Sequence, residues 1–266
     1  MLREITGFSN PLVKDARALR DKKARRETGR FLAEGLRILT EGLEAGFAPI
    51  QLWRTEASAD HPLVKALERA AGETLVTSPD ILGKLSGKDN PGQVLGVYAE
   101  FATPLAELDR SAADIWLVAQ AMRDPGNLGT TMRTGDAVGA GGVILIDDCA
   151  DPFSVEAVRA SMGAIFTQKV VRTNWAEFIA WLRDGPGQLV GTSLNTDVDY
   201  QAASYAAPTF VLTGNESQGL PESYEADCDL LVKMPMRGKA DSLNAAVATA
   251  VMAYEVLNQQ RRVLVG

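Results

Sequence analysis

Short apolar runs alternate with helical patterns through the second half of the chain. The runs that predict strands cover residues 115–119, 143–146, 189–192, 209–213 and 230–234, and the helical patterns cover 128–138, 154–162, 175–183 and 243–260. This alternation predicts an α/β domain whose parallel sheet is covered by helices on both faces. In such a sheet the ligand site lies at the carboxyl ends of the strands, in the loops that follow them.

The first hundred residues predict a smaller αβ domain. A helix should begin at Asn10-Pro11, and a second helical pattern follows it along the chain. The apolar positions of the two patterns are Leu12, Val13, Ala16 and Leu19, and then Phe31, Leu32, Leu36, Leu39 and Leu43. Short strands are predicted over 50–54, 75–77 and 94–98, with a helix over 63–71. We therefore predict a domain over residues 1–100, a linker over 101–114 and the α/β domain over 115–266.

Charge is distributed unevenly along the chain. Its 266 residues are 46% apolar and 23% charged, as in an ordinary globular protein, and its net charge of −7 argues against binding a polyanion. However, residues 1–40 contain ten Lys or Arg and five acidic residues, so this segment carries +5 and the rest carries −12. A basic segment on an acidic body is compatible with RNA binding, and a solvated helix face is the alternative. The predicted RNA contacts are Lys14, Arg17, Lys22, Lys23, Arg25 and Arg26.

Membrane and secretion signals are missing from the sequence. No apolar run reaches the roughly 18 to 20 residues that span a bilayer, and the first residues lack the apolar core of a signal peptide. We therefore predict a cytoplasmic protein with no membrane partner. Cys149 and Cys228 do not form a CxxC pair, and we interpret them as small buried apolar residues.

Three loops that follow predicted strands contain unusual residues. In the first, Asn127 is predicted to cap the next helix, and Arg133 follows within it. In the second, Gly214 would let a ligand approach the backbone, and Glu216 either acts in a site or complements a helix dipole. The third loop leads into an Ala-rich apolar helix that should be buried. Ser242 is predicted to cap that helix, and Asn244 in its first turn needs polar partners.

The usual catalytic sets are not in the sequence. His61 is the only histidine, which excludes a Ser-His-Asp triad, a Cys-His pair and a His-based metal site, so no metal is predicted. Neither a G-x-G-x-x-G nor a G-x-x-x-x-G-K-[ST] motif occurs.

Taken together, the three loops resemble the motifs of the SpoU/TrmH family, the 2′-O-ribose RNA methyltransferases of the SPOUT superfamily. The matching residues are Asn127-x-Gly129-x-x-x-Arg133-Thr134-Gly135-x-x-x-Gly139, then Gly214-x-Glu216-x-x-Gly219-Leu220, then Met234-Pro235-Met236 followed by Ser242-Leu243-Asn244. Ser9-Asn10-Pro11-x-x-Lys14 and residues 31–35 are similar to the family's L30e-like RNA-binding extension. Ala245-Ala246 departs from the Val-Ser that is common in the family.

This resemblance implies a C-terminal SPOUT domain with a trefoil knot, S-adenosylmethionine as cofactor and a homodimer formed through the knotted domain. The implied cofactor contacts are Gly214, Met234, Met236 and Leu243, with Thr192 and Ser193 on the adenosine side. The implied catalytic residue is Arg133, oriented together with the ribose by Asn127, Glu216, Ser242 and Asn244. Because a guanidinium is effectively always protonated, we interpret Arg133 as an electrostatic clamp rather than a base.

The expected function is therefore methylation of a ribose 2′-hydroxyl in structured RNA. The RNA-binding extension favours ribosomal RNA, most of all 23S, as the substrate. Two alternatives stay open, a tRNA 2′-O-methyltransferase and a non-catalytic RNA-binding protein that uses the L30e-like domain. The same chemistry would also serve self-protection against an antibiotic that targets the ribosome.

Overall fold

The computed structural model describes residues 2–215 and 217–265, with side chains through Arg262. Its contacts divide the chain into two units, Met1–Phe101 with Asp151–Thr167, and Ala102–Ala150 with Gln168–Gly266. The sequence predicted a linker over 101–114 and placed all of 115–266 in the second domain. The contacts instead group residues 151–167 with the first unit.

The elements are numbered in chain order. The strands are Leu2–Ile5 (β1), Arg30–Glu34 (β2), Gln51–Arg54 (β3), Glu73–Thr77 (β4), Val94–Ala99 (β5), Ile115–Gln120 (β6), Gly142–Ile146 (β7), Lys169–Thr173 (β8), Gln188–Thr192 (β9), Thr209–Thr213 (β10) and Leu230–Val232 (β11). The helices are Pro11–Ala18 (α1), Lys22–Thr28 (α2), Leu36–Glu44 (α3), Pro62–Ala70 (α4), Pro79–Ser86 (α5), Pro125–Val138 (α6), Val155–Ser161 (α7), Trp175–Arg183 (α8), Glu222–Ala226 (α9) and Ala245–Val265 (α10).

The first unit is built on a five-stranded sheet with the order β1-β4-β3-β5-β2. The predicted helical pattern through Phe31 and Leu32 was wrong, because these residues lie in β2, which pairs antiparallel with β5. Three consecutive buried residues in β2 form a continuous apolar run, and such a run fits a helix as well as a strand. The sequence pattern also missed β1, α2 and α5.

The second unit contains a six-stranded sheet with the order β11-β9-β10-β6-β7-β8, and every pair in it is parallel. The predicted parallel α/β sheet is therefore confirmed. All six residues of β6 and all five of β10 are buried, which explains their continuous apolar runs. The sequence pattern missed the edge strand β8 and the short helix α9.

Residues 102–114 of the predicted linker pack within the second unit. Thr103 N donates to Val170 O at 3.2 Å. The Arg110 guanidinium lies 4.0 Å from the centre of the Trp181 ring and donates to Trp181 O at 2.7 Å and to Leu182 O at 3.0 Å. Pro104 and the small residues around it therefore belong to a packed segment rather than to a flexible connection.

Both cysteines are partly buried and free of disulfide bonds. Burial raises the pKa of the Cys149 thiol to about 11 and that of the Cys228 thiol to about 12. Separately, none of the helices in the described part of the chain is long and apolar enough to cross a membrane.

Candidate active site

A cavity of about 340 Å³ lies where three strands of the second sheet end. Its walls come from the segments that follow β9, β10 and β11, together with the start of α10. This position is the one expected of a ligand site in a parallel sheet. All six predicted cofactor residues line the cavity, and they are Thr192, Ser193, Gly214, Met234, Met236 and Leu243.

Gly214 is required by the loop that follows β10. A Cβ atom at this position would lie 2.5 Å from the carbonyl carbon of Gly219 and 2.6 Å from the nitrogen of Leu220. The loop folds back on itself here, and Gly219 N donates to Asn215 O at 2.9 Å. The glycine therefore permits a close approach of backbone to backbone, where the sequence suggested an approach of ligand to backbone. Glu216, predicted as a catalytic residue, lies outside the described residues.

Asn215 joins this loop to the one that follows β6. Its Nδ2 donates to Ala121 O at 2.9 Å, and its Oδ1 accepts from the backbone nitrogens of Ser217 and Gln218. Ala121 itself has φ of 47°, a left-handed conformation that is costly for a residue other than glycine. Sequence reasoning treated Asn215 as a variable position, although Asn directly after a glycine is a common turn residue.

Glu225 of α9 is hydrogen-bonded to the segment that follows β9. Its carboxylate accepts a hydrogen bond from the Ser193 hydroxyl and another from Asn195 Nδ2, which lies 3.1 Å from Oε2. The Ser193 oxygen in turn accepts from Asn195 N at 2.9 Å. No sequence pattern pointed to this residue, because α9 is only five residues long and has no helical apolar pattern.

The loop after β11 meets α10 at Asn244. The helix begins at Ala245, and Asn244 Oδ1 accepts from Ala246 N at 3.0 Å and Val247 N at 3.2 Å, so Asn244 is the N-cap. The predicted cap, Ser242, was wrong. Ser242 is exposed, lines the cavity, and donates to Asp241 Oδ1 at 3.4 Å. Asn244 is also exposed, contrary to the prediction of a buried amide.

Asn127 pairs with this cap across 117 residues of sequence, because Asn244 Nδ2 donates to Asn127 Oδ1 at 2.9 Å. The prediction that Asn127 caps α6 was wrong, since Asp124 Oδ1 accepts from Asn127 N at 2.6 Å and is the cap. The Asn127 side chain therefore ties the start of α6 to the start of α10.

Arg133 is exposed on α6 and does not line the cavity. It makes no hydrogen bond or ion pair within the described part of the chain, so the proposed orienting residues other than Glu216 do not hold it. Its charge is consequently available to an anionic partner.

Among the residues that the structure describes, three charged ones line the cavity, and one of them forms an ion pair. Lys233 lines it and contacts Asp197 Oδ1 at 2.7 Å, which holds the pKa of that exposed carboxyl below its usual value. Asp241 and Glu225 add two carboxylates to the lining, whereas Met234 and Met236 add thioethers. The cavity thus combines an apolar wall with hydroxyl, amide and carboxylate groups, as small-molecule sites do.

Five of the six predicted RNA contacts are exposed in the first unit, and they are Lys14, Arg17, Lys22, Lys23 and Arg26. The prediction for Arg25 was wrong. Its side chain is 3% exposed and donates through Nε and Nη2 to Asp151 Oδ2 at 2.9 and 2.7 Å. Its Nη1 donates to the carbonyls of Leu19 and Arg20. A guanidinium that is this buried, with four of its five N–H donors already used, is not placed to contact a phosphate.

Comparison with known proteins gives two family matches and several relatives. The SpoU rRNA Methylase family matches residues 114–254, and the MRM3-like substrate binding domain matches residues 10–96. The 23S rRNA (guanosine(2553)-2′-O)-methyltransferase of Bacillus subtilis is 30% identical over 96% of this chain and 99% of its own length. The 23S rRNA (uridine(2479)-2′-O)-methyltransferase of Streptomyces viridochromogenes is 30% identical over 91% of this chain and 87% of its own.

Solved structures agree with these matches. An S-adenosylmethionine-bound rRNA methyltransferase from Sinorhizobium meliloti has a TM-score of 0.90 and 36% identity, covering 97% of this chain and 98% of its own. The SpoU methyltransferase AviRb from Streptomyces viridochromogenes, in complex with the same cofactor, has a TM-score of 0.84 and 30% identity, covering 95% and 98%. With its three motifs and cavity as described, this chain belongs to the SpoU rRNA methylase family.

Proposed function

We propose that this protein transfers a methyl group from S-adenosylmethionine to the 2′-hydroxyl of a ribose in ribosomal RNA, most specifically 23S rRNA. The observation that carries the proposal is that all six predicted cofactor residues line a single cavity at the strand ends. The likeness of nearly the whole chain to two 23S rRNA 2′-O-methyltransferases supports the choice of RNA.

The residues around the cavity fit this cofactor. The cavity volume of about 340 Å³ is within the usual range for small-molecule sites. Met234, Met236 and Leu243 provide apolar surface, and Thr192 and Ser193 provide hydroxyls for a nucleoside. S-adenosylmethionine, when bound, supplies a methyl group on a positively charged sulfur. The carboxylates of Glu225 and Asp241 line the cavity and form no ion pair with another described residue, so they favour such a charge.

Arg133 acts on the RNA in this mechanism. A guanidinium does not give up its proton near neutral pH, so it cannot serve as the base. We assign it to hold a phosphate next to the target ribose and to stabilise the negative charge that develops on the 2′-oxygen. The hydroxyl proton then passes to water. Asn127, Glu216, Ser242 and Asn244 complete the proposed site around the ribose. The hydrogen bond between Asn127 and Asn244 holds two of these side chains together.

The proposal includes a homodimer, a trefoil knot in the second unit and a cytoplasmic location. Support for the dimer comes from α10, which was expected to be buried but leaves Val247 47% exposed and Tyr254 53% exposed. An exposed apolar helix face of this kind commonly marks a subunit contact. Support for the knot comes from the family resemblance.

Incubation of the protein with 23S rRNA and methyl-labelled cofactor tests the function. We expect label on a ribose 2′-oxygen, with tRNA as the comparison substrate. Transfer only to a base, or no transfer to any cellular RNA, would refute the proposal. In Arg133→Ala, the rate should fall at least about 100-fold while cofactor binding by calorimetry is retained. Lys169→Ala, which removes an exposed cation from the edge strand β8, is the matched control.

A further inference from the structure

The turn between β1 and α1 presents an aromatic ring to solvent. Asn10 N donates to Gly7 O at 3.1 Å and closes a turn with Phe8 and Ser9 at its tip. Turn tips ordinarily carry Gly, Pro, Asn, Asp or Ser. Phe8 is nevertheless 51% exposed, and it stacks on no other ring in the described part of the chain. Core packing therefore does not explain this side chain.

A basic groove lies directly beside Phe8. It has a volume of about 530 Å³ and is lined by residues of the turn, of α1 and of α5 and the segment after it. Its four cations are Arg17, Arg20, Lys84 and Lys88, and its carboxylates are Asp80 and Asp89. Asp80 stands in the first turn of α5, where it complements the helix dipole. The groove has a positive balance and an aromatic ring at its end.

Arg20 is held in place by the end of α5. A Cβ atom at Gly87 would lie 2.4 Å from Arg20 Nη2 and 2.6 Å from Cζ, so the guanidinium rests against the glycine backbone. Gly87 has φ of 73° and ends the helix, and the helix dipole favours a cation there. The dipole of α5 therefore explains the position of Arg20 but not that of every cation of the groove.

The other cations differ in their pairing. Lys88 is bound by Glu34, whose Oε2 lies 2.9 Å from Nζ. Arg17 and Lys84 are exposed and form no ion pair with any residue that the structure describes. The groove is thus lined by the two unpaired cations, the fixed Arg20 guanidinium and the exposed Phe8 ring. This set matches the chemistry of nucleic acid, because phosphates take the cations and a base face takes the ring.

We propose that this groove binds an unpaired nucleotide of the RNA substrate, with its base stacked on Phe8 and its flanking phosphates on Arg17 and Arg20. The proposal rests on the proposed function for the identity of the substrate as RNA. It adds that recognition by the first unit requires a single-stranded segment, because bases inside a duplex do not offer their faces to a protein ring.

The test measures binding of the full-length protein to a short fluorescent RNA of mixed sequence, single-stranded or annealed to its complement. Fluorescence anisotropy should give tighter binding to the single strand. Phe8→Ala should weaken binding to the single strand about tenfold and leave duplex binding unchanged. Phe8→Trp should bind the single strand as tightly as the wild type does. Leu63→Ala removes another exposed apolar side chain, on α4, and serves as the control. Arg17→Gln and Arg20→Gln should each lower the slope of log affinity against log salt by about one, whereas Arg69→Gln on α4 should not.

Equal affinity of Phe8→Ala and the wild type for the single strand would overturn the proposal, as would an equal loss on both RNAs. Displacement of the RNA by poly-glutamate as effectively as by unlabelled RNA would also overturn it, since an acidic peptide would then be the better ligand. The binding assay contains no cofactor. Failure of methyl transfer would therefore count against the proposed function alone, and an unchanged Phe8→Ala variant would count against this groove alone.

Discussion

The buried ion pair between Arg25 and Asp151 makes a quantitative prediction about the first unit. Substitution of either partner alone, as in Arg25→Met or Asp151→Leu, leaves the other charge buried, since the side chains are 3% and 9% exposed. Removing one partner of a buried pair costs about 3 to 5 kcal/mol, a large part of the roughly 5 to 15 kcal/mol that stabilises a typical domain.

The double variant should lose far less stability than the two single losses added together. With both charges gone, the remaining penalty comes from the carbonyls of Leu19 and Arg20, which lose the Nη1 donor at 2.9 and 3.0 Å, and from Phe153 N, which loses Asp151 Oδ1 at 3.1 Å. At about 1 kcal/mol for each lost hydrogen bond, the double variant should be about 3 kcal/mol less stable than the wild type. The two single losses add up to about 6 to 10 kcal/mol, so the two substitutions should be strongly non-additive.

Urea unfolding followed by circular dichroism measures these differences in the full chain. Arg26→Met is the matched control, because Arg26 is exposed on the same helix and should change the free energy of unfolding by less than about 0.5 kcal/mol. Single variants within about 1 kcal/mol of the wild type would refute the reasoning. A double variant with the sum of the two single losses would refute it as well. If Arg25 is structural, the salt dependence of RNA binding should be the same in the folded double variant and the wild type.

Three further predictions concern the second unit. Asn244→Ala should lower the free energy of unfolding by about 1 kcal/mol through loss of the α10 cap, whereas Asn244→Asp should keep the cap and lose only the donor to Asn127; calorimetry with S-adenosylmethionine should show weaker binding in both. The rate of Cys149 alkylation should rise about tenfold per pH unit up to a pKa of about 11, because only the thiolate reacts, and a plateau near pH 9 would contradict this. Val247→Glu with Tyr254→Glu should convert a dimer to a monomer in sedimentation velocity, and an unchanged mass would place the subunit contact elsewhere.

The sheet of the second unit was predictable because its strands are buried on both faces. Residues 209–213 were predicted with the bounds that the structure has, and β6, β7 and β9 within one residue at each end. By contrast, Lys169 and Arg172 flank the only two apolar residues of β8, and an apolar run of two residues is too short to predict a strand. Continuous burial leaves a signal in the sequence, whereas a strand with exposed charged residues leaves a much weaker one.

Caps and charges were harder to predict, for two physical reasons. Asp124 and Asn127 are both good N-cap residues on either side of Pro125, as are Ser242 and Asn244 around Leu243, and only the helix start decides between them. The role of Arg25 depends on Asp151, which lies 126 residues away in sequence. Counting charges within residues 1–40 treats all its cations alike, although one of them is enclosed by the fold.

The segment 151–167 limits where this protein can be divided for recombination with a relative. Phe153 and Phe166 lie 4.9 and 6.0 Å from the Phe31 ring, centre to centre, so the aromatic core of the first unit is encoded in two separate stretches of the chain. An exchange of only the first hundred residues with a relative would set these two rings against foreign partners. The unit that recombination can move intact is therefore the pair of stretches, and a gene fusion joined near residue 101 would carry an incomplete core.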